Sequence, residues 1–185
     1  HYIEIQELYA KKVMILGAGS IGTEIAKRLS GFDMTVDGYA QSDRARPYFN
    51  RIICGRKALI DEIANYDYVI STLPDNENTR DFFDKELLKN MKQTSVIVNV
   101  GRKAVFKEDA LLDALKNHTI GGAVLDMFER IPNPITNKFR RLSNVIVLPG
   151  VSAISQEVNE RLKRHISNNL SSVLNGQKPG NVIGI

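Results

Sequence analysis

The sequence predicts an α/β fold, a doubly wound parallel sheet with helices on both faces, and three observations lead to it. Short apolar runs rich in Val, Ile and Leu alternate with segments of helical spacing, as in a parallel sheet covered by helices. The first run, at 13–16, passes through a tight turn directly into a helical pattern. That turn carries glycines at G-x-G-x-x-G spacing: Gly17, Gly19 and Gly22. Together these features are typical of a Rossmann-like fold.

Composition and charge narrow the class of protein further. The chain has 185 residues, the size of one domain, and its net charge of +4 is spread along the sequence. This distribution argues against a nucleic-acid partner and suits a small anionic ligand, and no segment resembles a membrane span or a signal peptide. Cys54 is the only cysteine, so an intramolecular disulfide and thiolate metal sites are excluded, and a reducing cytoplasm is the expected location.

The glycine-rich turn is the clearest indication of a ligand. Gly17 permits a tight turn, Gly19 lets a pyrophosphate approach the backbone, and Gly22 allows the helix to pack closely on the strand. The helix N-terminus, with Ser20 and Ile21 in its first turn, offers N–H donors and a partial positive charge to an anion. Because strands precede and follow this unit, we expect a dinucleotide site. A chance glycine turn is the alternative.

The other elements follow from the same alternation. After the remnant of a connecting helix at 1–11, we expect one dinucleotide-binding domain at 12–174 and a C-terminal tail at 175–185. Strands are predicted at 13–16, 34–39, 68–73, 95–100, 123–127 and 144–148. Helices are predicted at 23–29, 58–65, 79–91, 108–117 and 155–174, with a loop at 41–50.

Chemistry is expected at the carboxyl ends of these strands, because open α/β sheets bind ligands there. The corresponding segments are 17–22, 40–44, 73–74, 100–102, Asp126 and 149–152.

Further landmarks appear in order after the glycine turn. They are Ser71-Thr72-Leu73-Pro74 with Asn78-Thr79-Arg80, Asn99-Val100-Gly101-Arg102 with Glu108 and Leu111, the segments 123–129 and 144–149, and Asn181-Val182-Ile183. With these landmarks, nearly the whole sequence resembles the NAD-binding domain of the D-isomer-specific 2-hydroxyacid dehydrogenases, which include D-lactate, phosphoglycerate, glycerate and formate dehydrogenases. We find no counterpart of that family's N-terminal substrate domain in these 185 residues.

The resemblance implies an activity and a set of site residues. The activity is hydride transfer between a nicotinamide cofactor, NAD or NADP, and a 2-hydroxy or 2-keto acid, in a family that pairs as a homodimer through this domain. Arg102 matches the arginine that grips the substrate carboxylate and carbonyl, and Asp126 matches the aspartate that holds the nicotinamide carboxamide. The predicted cofactor contacts are Gly17, Gly19, Ser20, Ile21, Gly22, Gln41, Ser42, Arg44, Leu73, Pro74, Thr79, Val100, Gly101, Asp126 and Gly150.

Two positions depart from the family's catalytic pattern. The acid–base histidine directly follows the proline that matches Pro149, where this chain has Gly150, and the glutamate that orients it corresponds to Ile131. Glycine cannot donate a proton to the carbonyl, and Glu129 is a nearby carboxylate in the sequence. We therefore also consider two other functions, a nucleotide-binding pseudoenzyme without turnover and a dimerisation module.

The end of the second strand bears on the choice between NAD and NADP. Family members that prefer NAD resemble one another in placing an acid there, and the corresponding residue here is Ala40. The residues that follow include donors suited to a 2′-phosphate, namely Gln41, Ser42, Arg44 and Arg46. We therefore expect NADP to be accepted at least as well as NAD.

Overall fold

Two compact units make up the part of the chain that the computed structural model describes, residues 6–126 and 138–180. The units are His1–Gly150 and Val151–Ile185. Among the described residues, the first unit contains every strand, and the second contains one long helix.

The first unit is built on one parallel sheet. Within the described residues its strands are β1 (Lys12–Leu16), β2 (Thr35–Ala40), β3 (Arg51–Cys54), β4 (Tyr68–Ser71), β5 (Val96–Asn99), β6 (Gly122–Leu125) and β7 (Val145–Val147). Their order is β3-β2-β1-β4-β5-β6-β7, and each neighbouring pair is parallel. The direction of winding reverses between β1 and β4, the switch point at which such sheets bind ligands. The predicted Rossmann-like fold is confirmed.

Helices pack on both faces of this sheet. They are α1 (Ser20–Leu29), α2 (Arg56–Glu62), α3 (Lys85–Asn90) and α4 (Glu108–Lys116), and the second unit contains α5 (Val158–Leu174). Successive side chains of β1 point to opposite faces. Val13 therefore packs in one cluster with Ala26 of α1, whereas Met14 belongs to a second cluster with Leu87 of α3 and Leu111 of α4. Burial on both faces explains why β1 is apolar throughout residues 13–16.

The structure corrects the predicted number of strands from six to seven. The additional strand is β3, which lies at the edge of the sheet beside β2. It has four residues, begins with an arginine and contains a single apolar pair, Ile52 and Ile53, so its pattern is too short to indicate a strand. Cys54 ends β3 and is exposed, and its Sγ donates to the Gln41 carbonyl at 3.1 Å.

The helix predicted at 79–91 is also corrected, because α3 spans only Lys85–Asn90. Asp84 begins it as an N-cap, with its carboxylate accepting a hydrogen bond from the Leu87 N–H at 2.9 Å. Upstream, Asp81 has a φ of +52°, outside the helical range, and Phe83 forms a parallel bridge with Phe106. The apolar residues at 79–84 are spaced as in a helix, but this segment is a turn followed by a short extended stretch at Phe83.

The remaining elements agree in type with the prediction and differ by a few residues at their ends. α4 is followed by a turn at His118, which has a φ of +51°. Residues 6–11, expected to continue a connecting helix, contain no helix, and Ala10 has a φ of +57°. The predicted positions 127–131 and 181–183 lie outside the described residues.

Candidate functional site

Two of the three motif glycines are required by the packing of the chain on itself. Gly17 has a φ of +100°, and a Cβ there would lie 2.6 Å from Thr72 Oγ1. A Cβ on Gly22 would lie 2.2 Å from the Gly17 carbonyl oxygen. These positions therefore explain the tight turn after β1 and the close approach of α1 to it.

Gly19 is a glycine for a different reason. Its φ of −85° suits any residue, and a Cβ there would have nothing within 4 Å. Neither its conformation nor its neighbours explain the missing side chain. Gly19 lines a cavity, so the absence of a side chain leaves room for a ligand to approach the backbone.

The N-terminus of α1 begins at this cavity and suits a negative charge. Gly19 is its N-cap and supplies no capping side chain, and the first turn contains no acidic residue. The first N–H groups of an α-helix have no partner within the helix, and the helix dipole places partial positive charge there. Lys27 and Arg28 lie at the opposite end, where they complement the dipole. This end of α1 therefore fits a pyrophosphate.

The cavity has a volume of about 440 Å³ and is enclosed by the carboxyl ends of three strands. The lining comes from the end of β2, from the segments after β1, β2 and β4, and from the loop before α3. The residues are Gly17, Ala18, Gly19, Tyr39, Ala40, Gln41, Arg46, Leu73, Pro74, Asn76, Asn78, Thr79 and Phe82. The rings of Tyr39 and Phe82 are 5.4 Å apart, which gives the cavity an aromatic wall. Burial raises the pKa of Tyr39, so its hydroxyl stays neutral beside the cavity.

Two side chains hold the carbonyl groups of the glycine turn. Thr72, directly after β4, donates from Oγ1 to the Gly17 carbonyl at 2.8 Å. Arg46, from the connection between β2 and β3, donates from Nη1 to the Ala18 carbonyl at 2.6 Å. The Nε of Arg46 is buried without a hydrogen-bond partner. Arg46 lines the cavity, and its Nε is a donor that the described residues leave unsatisfied.

The loop after β4 forms the opposite wall and is ordered by Thr79. The Thr79 hydroxyl donates to the Pro74 carbonyl at 2.6 Å and accepts from the Asn76 N–H at 3.0 Å. Its side chain is nearly buried. Thr79 therefore shapes the cavity through this loop in addition to lining it.

Arg56 braces the same wall from α2. Its Nη1 donates to the Phe82 carbonyl at 2.8 Å, and its Nη2 pairs with Asp84 at 2.7 Å. The guanidinium also lies 5.0 Å from the centre of the Phe82 ring. One arginine thus links α2 to the aromatic wall and to the N-cap of α3.

The residues after β5 form a separate region at the same edge of the sheet. The Val100 N–H donates to the Ser71 carbonyl at 3.1 Å, and a Cβ on Gly101 would lie 2.7 Å from the Leu73 carbonyl oxygen. Arg102 is exposed and lines a second cavity of about 600 Å³. Charged groups of both signs surround it there: Asp75, Arg80, Asp81, Lys103 and Glu108.

Asp126 and Gly150 follow the ends of β6 and β7. Asp126 is buried, and its N–H donates to the Asn99 carbonyl at 3.0 Å. Gly150 has a φ of +76°. Ile131, the counterpart of the orienting glutamate, and Glu129 lie outside the described residues.

The structure brings part of the predicted site together in the first cavity. The predicted contacts that line it are Gly17, Gly19, Gln41, Leu73, Pro74 and Thr79. Those that do not line it are Ser20, Ile21, Gly22, Ser42, Arg44, Val100, Gly101, Asp126 and Gly150, which lie on α1, in the loop after β2 or at the ends of β5, β6 and β7. The list of predicted contacts did not include Ala18, Tyr39, Ala40, Arg46, Asn76, Asn78 and Phe82, although Arg46 was named among the donors suited to a 2′-phosphate and Ala18 and Ala40 lie in the predicted segments 17–22 and 40–44. Of these, Tyr39 and Ala40 were detectable as the end of the second strand.

The described residues contain neither a candidate metal-binding cluster nor a helix that could span a membrane. Across 6–126 and 138–180, no group of three or more His, Cys, Asp or Glu side chains is placed to hold a metal ion. Over the same ranges, every helix is too short or too polar to cross a membrane.

Sequence comparison identifies relatives of the chain. The profile of the family described as D-isomer specific 2-hydroxyacid dehydrogenase, NAD binding domain, matches residues 1–152. Glyoxylate/hydroxypyruvate reductase B of Erwinia tasmaniensis is 32% identical over 180 residues, 96% of this chain and 55% of the relative. A probable 2-ketogluconate reductase of Dictyostelium discoideum is 34% identical over 179 residues, 96% of this chain and 53% of the relative. The chain thus spans about half the length of these curated relatives.

Solved structures give the same result. A D-isomer specific 2-hydroxyacid dehydrogenase family protein from Aeromonas salmonicida matches 100% of this chain and 58% of its own with a TM-score of 0.88 and 30% identity. An NADPH-dependent glyoxylate/hydroxypyruvate reductase from Sinorhizobium meliloti, solved with NADP and sulfate, matches 99% of this chain and 58% of its own with a TM-score of 0.87 and 26% identity. The chain belongs to the D-isomer-specific 2-hydroxyacid dehydrogenase family, of which it is an NAD-binding domain.

Proposed function

We propose that this chain is the cofactor-binding part of an oxidoreductase that acts on small 2-hydroxy or 2-keto acids. The observation that carries the proposal is the glycine turn, in which packing requires Gly17 and Gly22 but leaves the space beside Gly19 empty. The names of the relatives, glyoxylate and hydroxypyruvate reductases, support short 2-keto acids as the substrate class. The nicotinamide ring supplies or accepts the hydride when the cofactor is bound.

The residues of this chain have separate proposed roles in binding the substrate and the two ends of the cofactor. Arg102 is proposed to hold the substrate carboxylate and carbonyl, because a guanidinium offers a planar fork of donors. Asp126 is proposed to hold the carboxamide of the cofactor. The residues around the first cavity, with Ser20 and Ile21 at the start of α1, are proposed to bind its adenosine and pyrophosphate. The extent of the functional domain, residues 12–174, remains a prediction.

Gly150 favours a second candidate function, nucleotide binding without turnover. It stands where the family resemblance places the proton donor, and glycine has no group that can transfer a proton. In this alternative the chain binds the cofactor and Arg102 binds an acid, but the carbonyl is not reduced. This alternative predicts tight cofactor binding with no turnover even after a substrate domain is restored, and that measurement separates the two functions.

Replacing Gly19 with valine tests the proposed cofactor site. A Cβ at this position meets nothing within 4 Å, so the fold should be kept, with a modest loss of stability because valine is a poorer N-cap of α1 than glycine, but the side chain occupies the space through which the pyrophosphate approaches. We expect dinucleotide affinity in calorimetry to fall at least about tenfold, a loss of ~1.4 kcal/mol. Gly31→Val is the matched control, because a Cβ there also meets nothing within 4 Å, far from the motif. Equal affinity of Gly19→Val and wild type would place the site elsewhere.

We infer that NADP is accepted at least as well as NAD. The absence of an acid at Ala40 and the position of Arg46, whose Nε is buried beside the cavity without a partner, support this inference. The relative from Sinorhizobium meliloti was solved with NADP. Titration of the chain with both cofactors tests it, and a clear preference for NAD would overturn it.

We further propose that the protein works in the cytoplasm as a homodimer paired through this domain. The family resemblance supports the pairing, and a single cysteine suits a reducing compartment. Sedimentation velocity on the chain tests the dimer, and a monomer at micromolar concentration would contradict it.

A further inference from the structure

Asn99, the last residue of β5, is fully buried and bonds to the turn that carries Arg102. Its Oδ1 accepts from the Gly101 N–H at 3.1 Å, and its Nδ2 donates to the Arg102 carbonyl at 3.3 Å. One side chain therefore satisfies a donor and an acceptor of the main chain on both sides of the Gly101–Arg102 peptide. This arrangement fixes the direction in which Arg102 leaves the sheet.

The main chain of Asn99 reaches the next strand as well. Its carbonyl accepts from the N–H of Asp126, which is 1% exposed. Asn99 thus contacts both segments proposed to serve the reacting end of the cofactor and the substrate, the turn at 101–102 and the start of the loop after β6.

The surroundings of Asn99 leave this turn little freedom. A Cβ on Gly101 would lie 2.7 Å from the Leu73 carbonyl oxygen, so the turn rests directly on the backbone after β4. Ser71, opposite Asn99 in the register of β4 and β5, is also fully buried. Loss of the Asn99 amide would leave the buried Gly101 N–H without its acceptor and would leave the Arg102 carbonyl with one donor, the Val105 N–H at 3.4 Å.

We infer that Asn99 is a positioning residue, which holds Gly101, Arg102 and Asp126 in place for the nicotinamide end of the cofactor. Within residues 6–126 and 138–180, its side chain makes no hydrogen bond to a residue lining the first cavity, which is proposed to bind the adenosine end. The inference rests on the proposed function, because it assigns the two ends of one cofactor to different parts of the sheet edge. It predicts that a change at Asn99 affects one half of the cofactor only.

Binding of the whole cofactor and of its adenosine half to the same variants provides the test. Asn99→Asp keeps the Oδ1 acceptor and the side-chain volume. It removes the donor to the Arg102 carbonyl and adds a buried charge. Asn99→Ala removes both hydrogen bonds of the side chain. We expect the affinity for NADPH to fall about tenfold or more and the affinity for adenosine bisphosphate to change less than about twofold. Asn117→Asp, at an exposed position after α4, is the matched control and should change neither.

Gly19→Val provides the opposite pattern, because it should weaken both the whole cofactor and the half. Equal losses of NADPH and adenosine bisphosphate in the Asn99 variants, or an unchanged NADPH affinity, would overturn the inference. A wild-type chain that binds neither ligand would instead refute the proposed function.

A measurement on the wild-type chain keeps the inference testable where the variants do not fold. The Gly101 N–H lies outside every strand, and its hydrogen bond is to the buried Asn99 Oδ1. We expect its amide proton to exchange with solvent at least about a hundredfold more slowly than in an unstructured chain. Exchange at the unprotected rate would show that Asn99 does not hold this turn.

Discussion

Arg44 and Arg46 belong to the same loop after β2, but of the two Arg46 alone lines the first cavity. Its guanidinium already donates to the Ala18 carbonyl, and its Nε is buried and unpartnered. A 2′-phosphate would give this group a charged acceptor, and hydrogen bonds to charged groups contribute about 1.5–3 kcal/mol. Arg46 is therefore the stronger candidate for distinguishing NADP from NAD, although the list of contacts predicted from the sequence included Arg44 and not Arg46.

Substitution of each arginine by methionine tests this difference. We expect Arg46→Met to weaken NADPH binding about tenfold or more and NADH binding much less, because NADH lacks the 2′-phosphate. Arg44→Met, a change of the same kind in the same loop, should leave both affinities within about twofold. If instead Arg44→Met causes the selective loss, the sequence-based assignment of Arg44 stands and Arg46 serves only the Ala18 carbonyl.

A site residue can be predicted from the sequence when its role depends on residues close to it along the chain. The roles of Gly17 and Gly22 follow from a strand–turn–helix of about ten residues, and the structure confirms that both positions exclude a side chain. Arg46 and Phe82 reach the cavity through irregular segments whose paths depend on contacts elsewhere in the chain. Phe82, for example, is held by Arg56, a residue of α2. No local pattern in the sequence contains that information.

At the level of elements, the prediction succeeds where burial on both faces makes a long apolar run. Such runs mark β1 and β4, which lie in the middle of the sheet, whereas β3 lies at its edge and begins with Arg51. The predicted helix at 79–91 was too long for a related reason. Apolar residues buried by an extended segment can repeat at helical spacing, and only the capping contact of Asp84 fixes where α3 begins.

Asp67 connects three elements at the opposite edge of the sheet. Its carboxylate accepts from the Lys12 N–H at the start of β1 and pairs with Lys92 ahead of β5. Burial by itself raises the pKa of Asp67, but the hydrogen bonds from Lys12 and Lys92 outweigh it and hold the pKa below its ordinary value. A carboxyl whose pKa is lowered by folding stabilises the protein above its unfolded pKa, and this contribution is lost as the pH falls through the folded pKa.

We therefore expect Asp67→Asn to lower the free energy of unfolding by about 1–2 kcal/mol at neutral pH and to have a smaller effect in acid. Urea unfolding of both proteins from pH 7 down to about pH 2 measures this difference. Asp61→Asn, which changes an exposed aspartate on α2, is the control, and its free energy of unfolding should follow the same pH dependence as that of wild type. A penalty for Asp67→Asn that stays constant through the acid range would contradict this account.

At the level of the whole molecule, the chain combines a candidate substrate anchor with a glycine at the position where the family resemblance places the proton donor. Arg102 is exposed at the end of β5, while position 150 is a glycine. Loss of a general acid costs about two to four orders of magnitude in rate, and the loss of enclosing groups that orient the reactants costs ~7 kcal/mol or more. We expect this chain alone to show no turnover with NADH or NADPH and pyruvate, glyoxylate or hydroxypyruvate.

The assay is cofactor oxidation at high protein concentration, compared with the rate without protein. Sustained oxidation that Arg102→Ala abolishes would show that another group, with Glu129 as the first candidate, supplies the proton. Activity that survives Arg102→Ala would point to a contaminating enzyme.

The distance along the chain between β1 and β4 has a consequence for how this protein folds during synthesis. Lys12 and Asp67 are joined in the sheet although 55 residues separate them. Pairing over such a separation closes a large loop and is slow, so the backbone edge of β1 that faces β4 stays unpaired, with apolar side chains at 13–16, until β4 has left the ribosome. A nascent chain arrested while β4 is still inside the ribosome should therefore be cleaved by protease much faster, and aggregate more readily, than one arrested after β4 has emerged. Equal protease resistance of the two arrested chains would show that the first strands are stable without their central neighbour.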